Sequence, residues 1–341
     1  MKAAILGAGG YAGMTLLRLL DNHPQISKIF AASSTKIGEK ICKYDAGFFA
    51  EKSKTEDVFF SVEQAAELKP DIVFSCLPHL TSAEVCERFI GKTVVIDLSA
   101  DFRLEKREDF IASYGKEPPK PQYQSQAVYG LPEIYRGDIR KSDLIANPGC
   151  YPTAALLPLA PFLGLAGDGE IVVDALSGVS GAGRKLNENY LFCSREENMG
   201  AYLPGKEHRH TREIEKEILK IGGSERELFF TPHLVPVIAG MTATIQLNLN
   251  EKIDEEKAIG LIDDYYSDSP FIRNRGRDIP QSADTRGTNR CDIGCRVFGR
   301  RLMLFSSIDN LVRGASGMAA QNMNIRFGFE ETAGLPVHGQ I

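Results

Sequence analysis

The chain is predicted to be α/β, with a parallel sheet covered by helices on both faces followed by an α+β domain on a largely antiparallel sheet. Three observations carry this prediction. In the first part of the chain, short apolar runs alternate with stretches whose apolar residues recur at helical spacing. A glycine-rich turn, GAGGYAG at 7–13, joins the first run directly to the first helical stretch. Beyond Cys150 the runs change character, and MTATIQLNLN at 241–250 alternates apolar with polar residues, the mark of a strand buried on one face.

Taken in order, KAAIL at 2–6 reads as a buried strand, and MTLLRLLDNHP at 14–24 as a helix that Pro24 stops. A second strand is predicted at 28–32. DIVFSC at 71–76 and TVVID at 93–97 are further strands that end in polar turns, with a helix at 80–90 between them. In the second half, strands are predicted at 170–176 and 241–250, and a hairpin at 296–308 turns at Gly299 and Arg300. The last helix, 315–327, carries Ala319, Met323 and Phe327 on one stripe. No sheet follows it, so it is expected to return to the first domain. The expected division is 1–148 with 310–341 as one domain, and 149–309 as the other.

A chain of 341 residues is long enough for two domains with sizeable cores. Its net charge of −5, with no basic tract, speaks against nucleic-acid or anionic-membrane partners. The seven cysteines are scattered without a C-x-x-C pair, so the expectation is a reduced, cytoplasmic protein with no metal. The longest apolar stretch, 154–167, is too short and too rich in proline to span a bilayer. The start of the chain reads as a strand rather than a secretion signal.

The glycine turn carries the first chemistry. Gly7, Gly9 and Ala12 fit G-x-G-x-x-G/A, while Gly7, Gly10 and Gly13 fit a G-x-x-G-x-x-G variant around Tyr11. Either spacing lets the backbone approach a pyrophosphate at a helix N-terminus. At the end of the second strand an NAD site usually offers an acid to the ribose. This chain has AASSTK at 31–36, so Ser33, Ser34, Thr35 and Lys36 are candidates for a 2′-phosphate, and NADP(H) is favoured over NAD.

The second chemistry lies in NPGCYPT at 147–153. Pro148 and Gly149 force a turn, and the apolar run after Cys150 can open as a helix with Pro152 in its first turn. A helix N-terminus favours thiolate over thiol, which makes Cys150 a candidate nucleophile. The competing reading is a small buried hydrophobe. EHRHTREIEKEI at 207–218 places His208 and His210 in the lead-in to a helix, where one can shuttle a proton and the other can be structural. SGVSGAGRK at 177–185, with Ser180 and Gly181, and VRGASGMAAQN at 312–322, with Gly314, are glycine-rich loops that can line a cofactor or simply pack closely. Arg103 follows a strand of the first sheet, where it can meet an anion or form a surface ion pair.

Together these segments resemble the N-acetyl-gamma-glutamyl-phosphate reductase family. The resemblance rests on GAGGYAG, DLSADFRL, YGLPEIYR, NPGCYPT, SGVSGAGR, EHRHTREIE, TPHLVPV and DNLVRGASGMAAQNMN, which cover the chain from end to end. It implies a fold like that of glyceraldehyde-3-phosphate dehydrogenase, with a Rossmann-type domain interrupted by the catalytic one. It also implies NADPH-dependent reduction of an acyl phosphate through a thioester on Cys150, in arginine biosynthesis, by a homo-oligomer (dimer or tetramer). His210 would exchange the proton, with Glu213 orienting it and His208 as the fallback. Arg103 and Asn147 are candidates for the leaving phosphate, and Asn310 for the nicotinamide end. Two positions depart from the family pattern: Arg212, where many members carry Pro, and Ala239, where many carry Arg. Arg209 or Lys185 is then the candidate to hold the acyl substrate. The rivals are a lysine-pathway reductase acting on carrier-linked amino-adipyl phosphate and a non-catalytic NADPH sensor.

Overall fold

A computed structural model describes residues 1–339. It falls into two compact units, one of residues 1–148 and 315–335, the other of 149–314 and the described residues from 336 on. The return to the first unit, expected at 310, comes at 315. Asp309 explains the delay: its Oδ1 accepts the amides of Leu311 (2.8 Å) and Val312 (2.9 Å), and its carbonyl accepts that of Gly314 (2.9 Å), which keeps this turn in the second unit. The tail also belongs to the second unit rather than the first, because Asn289 donates to the Pro336 carbonyl and Arg290 to that of Val337.

The first unit is built on β1 (Lys2–Leu6), β2 (Lys28–Ala32), β3 (Ile72–Ser75), β4 (Val94–Asp97), β5 (Val128–Tyr129) and β6 (Leu144–Ala146). All pair in parallel, in the order β2-β1-β3-β4-β6-β5. Ala3 to Leu6, Ile72 to Ser75 and Val94 to Asp97 are wholly buried, as expected of a parallel sheet covered on both faces. β1 lies between β2 and β3, so the strand order reverses beside it, and open α/β sheets bind ligands at the carboxyl ends of strands at such a point. β5 and β6 have two and three residues, too few for a sequence pattern to betray. The helix expected at 80–90 shrinks to Ser82–Cys86. Leu80 sits at φ +67°, and Asp101 caps the segment by accepting the amides of Leu80 (2.6 Å) and Ala83 (2.9 Å). The Gly317–Phe327 helix belongs to this unit, where Asn322 donates to the Gly130 carbonyl and Ser316 to that of Ala12.

The second unit is built on β7 (Ile171–Gly178), β8 (Gly200–Ala201), β9 (Leu228–Val235), β10 (Met241–Asn248), β11 (Ile272–Gly276), β12 (Cys291–Phe298) and β13 (Arg301–Ile308). Their order is β11-β12-β13-β10-β7-β9-β8. The predicted hairpin is β12–β13, with Gly299 at φ +66° in its turn. The sheet is mixed, since β7 pairs β9 and β11 pairs β12 in parallel. A parallel pair needs a crossover, and the β7–β9 crossover contains the His210–Gly222 helix. Burial alternates strictly along β10, so one face of the sheet is covered and the other is half open. Among the described residues, no helix is long and apolar enough to cross a membrane.

Candidate active site

In the first unit the turn after β1 leads into the Tyr11–Asp21 helix, with Gly10 at its N-cap. A glycine there has no side chain with which to cap the helix, and the first amides of a helix lack partners within it. Gly13 cannot be replaced by a larger residue without movement, since a β-carbon on it would lie 2.6 Å from the Gly7 carbonyl oxygen. Turn and helix are packed backbone against backbone, the close approach that a pyrophosphate requires. Lys36, at the end of β2, reaches over this turn. A β-carbon built on Gly9 would stand 3.5 Å from its ammonium, and that ammonium lies 4.7 Å from the centre of the Tyr44 ring. Ser33 is buried and its hydroxyl accepts the Thr35 amide, whereas Ser34 is exposed. The residues present therefore fit a dinucleotide, with the Lys36 ammonium close over the turn.

In the second unit Cys150 is the first residue of the Cys150–Leu159 helix, and Gly149 is its N-cap. Residues 151–159 are all buried, so the helix is fixed by its surroundings along its length. Pro158 removes the bond that would reach back to the Ala154 carbonyl, and Ser306 of β13 donates to that carbonyl instead, at 2.6 Å. Two further contacts frame the cysteine itself. The Gly149 amide donates to Glu213 Oε1 at 3.1 Å, tying the helix start to the first turn of the His210–Gly222 helix. A β-carbon on Gly314 would fall 2.6 Å from Cys150 Cβ, so only glycine fits against the cysteine. Gly314 lies in a π-helical turn, Val312–Ser316, the kind of irregularity often found at functional sites. Cys150 is partly exposed. The buried thiols differ, since burial pushes Cys86 up to about 12 and Cys295 up to about 11, which keeps both protonated.

The two histidines have different settings. His208 is buried among Tyr151, Tyr202 and Phe230, with ring centres 5.3–5.6 Å away. Its Nδ1 accepts the His210 amide at 3.1 Å, satisfying a donor at the helix start. Burial, reinforced by the Arg209 charge, lowers it to about 4, so it is neutral at pH 7. His210 opens the helix, its ring 4.9 Å from that of His208 and 6.0 Å from Tyr151, the residue next to Cys150. His208 thus has a structural task. The bond from Gly149 gives Glu213 a task the sequence did not foresee.

Sequence reasoning missed Tyr202. Its hydroxyl donates to that of Tyr151 at 3.1 Å, and Tyr151 donates to the His233 carbonyl at 3.2 Å. Burial pushes Tyr202 up to about 12 and raises Tyr151 as well, so both remain neutral donors. No motif flags Tyr202, because its hydrogen-bond partner Tyr151 lies 51 residues away in sequence.

Other candidates turn inward. Asn147 is wholly buried; its amide nitrogen donates to the Ala315 carbonyl and its oxygen accepts from Asn322. It is a tether within the first unit. Arg103 donates to the carbonyls of Asn147 and Leu98, both at 2.8 Å, which fixes its guanidinium at the ends of β4 and β6. Asn310 spans two loops: its Oδ1 accepts the Gly240 amide at 2.7 Å and its Nδ2 donates to Ser180 at 3.0 Å. Ser180 is buried by this bond, and Gly181 beside it is exposed. Lys185 and Arg209 are both exposed.

Residues 2–142 match the family model described as semialdehyde dehydrogenase, NAD binding domain, and residues 150–310 the one described as semialdehyde dehydrogenase, dimerisation domain. The chain is 42% identical to the N-acetyl-gamma-glutamyl-phosphate reductase of Caldicellulosiruptor bescii, an alignment covering 100% of this chain and 99% of that one. It belongs to the N-acetyl-gamma-glutamyl-phosphate reductase family. The family member from Methanopyrus kandleri is 41% identical, with 98% of each chain covered. Among solved structures, aspartate semialdehyde dehydrogenase II of Vibrio cholerae shares the fold with a TM-score of 0.73 at 20% identity, over 96% of this chain and 98% of that one. The Candida albicans aspartate semialdehyde dehydrogenase, solved with NADP, gives 0.68 at 20% identity, over 95% and 98%.

The two departures from the family pattern are mild in their setting. Arg212 is the third residue of its helix, a position in the first turn that accepts Pro and Arg alike. Ala239 lies in the turn between β9 and β10, where its neighbours Val237, Ile238 and Gly240 accept the amides of Val179, Ser180 and Gly178.

Proposed function

We propose that the chain reduces N-acetyl-gamma-glutamyl phosphate to the corresponding semialdehyde with NADPH, through a thioester on Cys150. Family membership over the full length supports the reaction class. The observation that carries the residue assignment is Cys150 at the first position of a fully packed helix, with the histidine-led helix bonded to its N-cap.

The Cys150 thiolate attacks the acyl carbon, and the carbon–oxygen bond to phosphate breaks with its electron pair leaving on phosphate. A thiolate serves as both a good nucleophile and a good leaving group, which splits one difficult reduction into easier steps. The helix N-terminus favours the anionic sulfur and offers amides to the carbonyl oxygen. The turn at 7–13, with Lys36 over it, would hold NADPH, whose chemistry would be to supply the hydride. His210 gives a proton to the oxygen of the resulting thiohemiacetal and takes it back as the carbon–sulfur bond breaks. The aldehyde leaves and the thiolate is restored. Glu213 acts on this chemistry by holding the Gly149 amide and so aiming the first turn at the substrate. Arg103, Lys185 and Arg209 are the candidates to meet the substrate's anionic groups. In this reading the chain works as a homodimer.

Mixing the protein with the acyl phosphate in the absence of NADPH should leave one acyl group on Cys150, read by intact-mass and peptide mass spectrometry. Rapid turnover on NADPH addition with no acyl group ever detectable on Cys150 would remove the covalent mechanism.

A further inference from the structure

Lys36 reaches over the glycine turn without an acid to hold it. Among the described residues no carboxylate pairs with its ammonium, although Glu39 is close by in sequence. Glu39 is taken by others: its Oε2 accepts the Tyr44 hydroxyl at 2.7 Å and pairs with the Lys43 ammonium at 2.5 Å. What holds Lys36 is a ring. Its ammonium lies 4.7 Å from the centre of the Tyr44 ring, which stands edge-on to the buried Phe59 with ring centres 5.9 Å apart.

The backbone fixes both partners. The Gly38 amide donates to the Phe59 carbonyl at 2.8 Å, and the Phe59 amide to the Glu39 carbonyl at 3.0 Å. The Glu39 amide donates in turn to the Lys36 carbonyl at 3.0 Å. Tyr44 ends the Ile41–Lys43 turn, where its amide donates to the Ile41 carbonyl.

A carboxylate and an aromatic ring hold an ammonium with different consequences. A carboxylate cancels the charge and competes with an incoming anion. A ring face attracts the cation through its quadrupole and leaves the charge intact for a phosphate. A lysine stem is also long and flexible, so fixing it beforehand lowers the cost of using it in binding.

We propose that Tyr44 is a positioning residue: its ring holds the Lys36 ammonium over the glycine turn for the 2′-phosphate of NADPH, and so sets the preference for the phosphorylated dinucleotide. This rests on the reading of Lys36 as part of the NADPH site and names what prepares it. The ring carries the effect and the hydroxyl does not, since the hydroxyl is spent on Glu39.

Binding of NADPH and of NADH is followed by fluorescence titration, without turnover, on the full chain. The variants are Tyr44→Leu, Tyr44→Phe, Lys36→Ala and the Tyr44→Leu, Lys36→Ala double variant, each checked by far-UV circular dichroism. Should Tyr44→Leu not fold, Tyr44→Met takes its place, because methionine fills irregular gaps such as the one left beside Phe59. Tyr44→Leu should weaken NADPH binding about 2- to 5-fold, the range expected of a partly exposed ammonium–ring contact, and leave NADH binding unmoved. Tyr44→Phe should bind NADPH as the wild type does. In the Lys36→Ala background, Tyr44→Leu should add no further loss, because the interaction it removes is already gone. An unchanged Kd for NADPH in folded Tyr44→Leu, or the same loss with Lys36 absent, would overturn the proposal and leave the reading of Lys36 standing. A loss in Tyr44→Phe equal to that in Tyr44→Leu would overturn it too, by moving the effect to the hydroxyl. If Lys36→Ala itself failed to weaken NADPH more than NADH, the reading of Lys36 would fall and the proposal with it.

Discussion

The turn at 7–13 and the surroundings of Cys150 are both built on a helix N-terminus with glycine at the N-cap, yet they are made of different material. The first is largely backbone, drawn from one contiguous stretch, with Lys36 and Tyr44 as its added side chains. The second is mostly side chain, gathered from 149–151, 202–213 and 314. A backbone site tolerates change at its side chains and fails only where a β-carbon intrudes. A side-chain site can fail at any of its members, each in its own way.

The sharpest break between the two is Cys150→Ser. It should lower reductase turnover by at least ~10⁴-fold, as loss of a covalent nucleophile does, while NADPH affinity measured by fluorescence titration stays at the wild-type value. Retained turnover would mean that the thiol is not the nucleophile. Gly314→Ala comes next. Its new methyl must displace Cys150, and a misplacement of about 1 Å costs on the order of 10²-fold in rate. The loss should fall on kcat and on the rate of Cys150 alkylation, with NADPH affinity unmoved. A smaller effect is expected on the backbone site. Lys36→Ala should raise KM for NADPH ~10-fold and leave KM for NADH unchanged, because only the phosphorylated dinucleotide loses a charge partner. An equal rise for both dinucleotides would move Lys36 from the 2′-phosphate to the pyrophosphate.

The smallest effect on activity, and a clear one on stability, concerns pH. His208 is held near 4 in the folded protein and takes its proton near 6.5 when unfolded. The unfolded state therefore binds the extra proton between these values, and the second unit loses stability as pH falls from 6.5 to 4, by roughly 3 kcal/mol. Asp97, wholly buried at the end of β4, behaves in the opposite sense. Burial pushes it up to about 6 although Ser82 and Ser99 donate to it. The folded state holds its proton longer than the unfolded one, so the first unit loses stability as pH rises from 4 to 6. Calorimetry of wild type, His208→Gln and Asp97→Asn between pH 4 and 8 should show each variant losing one of the two opposed slopes. A single slope shared by both variants would show that neither group governs its unit.

Much of the fold was legible because its signals are local. The strands at 2–6 and 28–32, the first helix and the β12–β13 turn all follow from apolar period and glycine placement. β5 and β6 were not legible, since strands of two and three residues have no period to read. The domain return was misplaced by five residues because Asp309 organises the turn after it through its own carboxylate and carbonyl. Asn147 and Asn310 looked like ligand contacts because each lies in a motif rich in chemistry. Both amides also tether one backbone segment to another, which a motif does not reveal.

By itself, the sequence determined the parallel sheet, the glycine turn for a dinucleotide, the thiol at a helix start and the family to which they point. Those features depend on residues close together in the chain, where spacing alone dictates geometry. Only the tertiary structure decided that His208 accepts the His210 amide, that Glu213 grips the Gly149 amide, and that Gly314 must lack a side chain. Each of those depends on which distant residue fills the neighbouring space. A close-packed interior settles that question through contacts that no local pattern encodes.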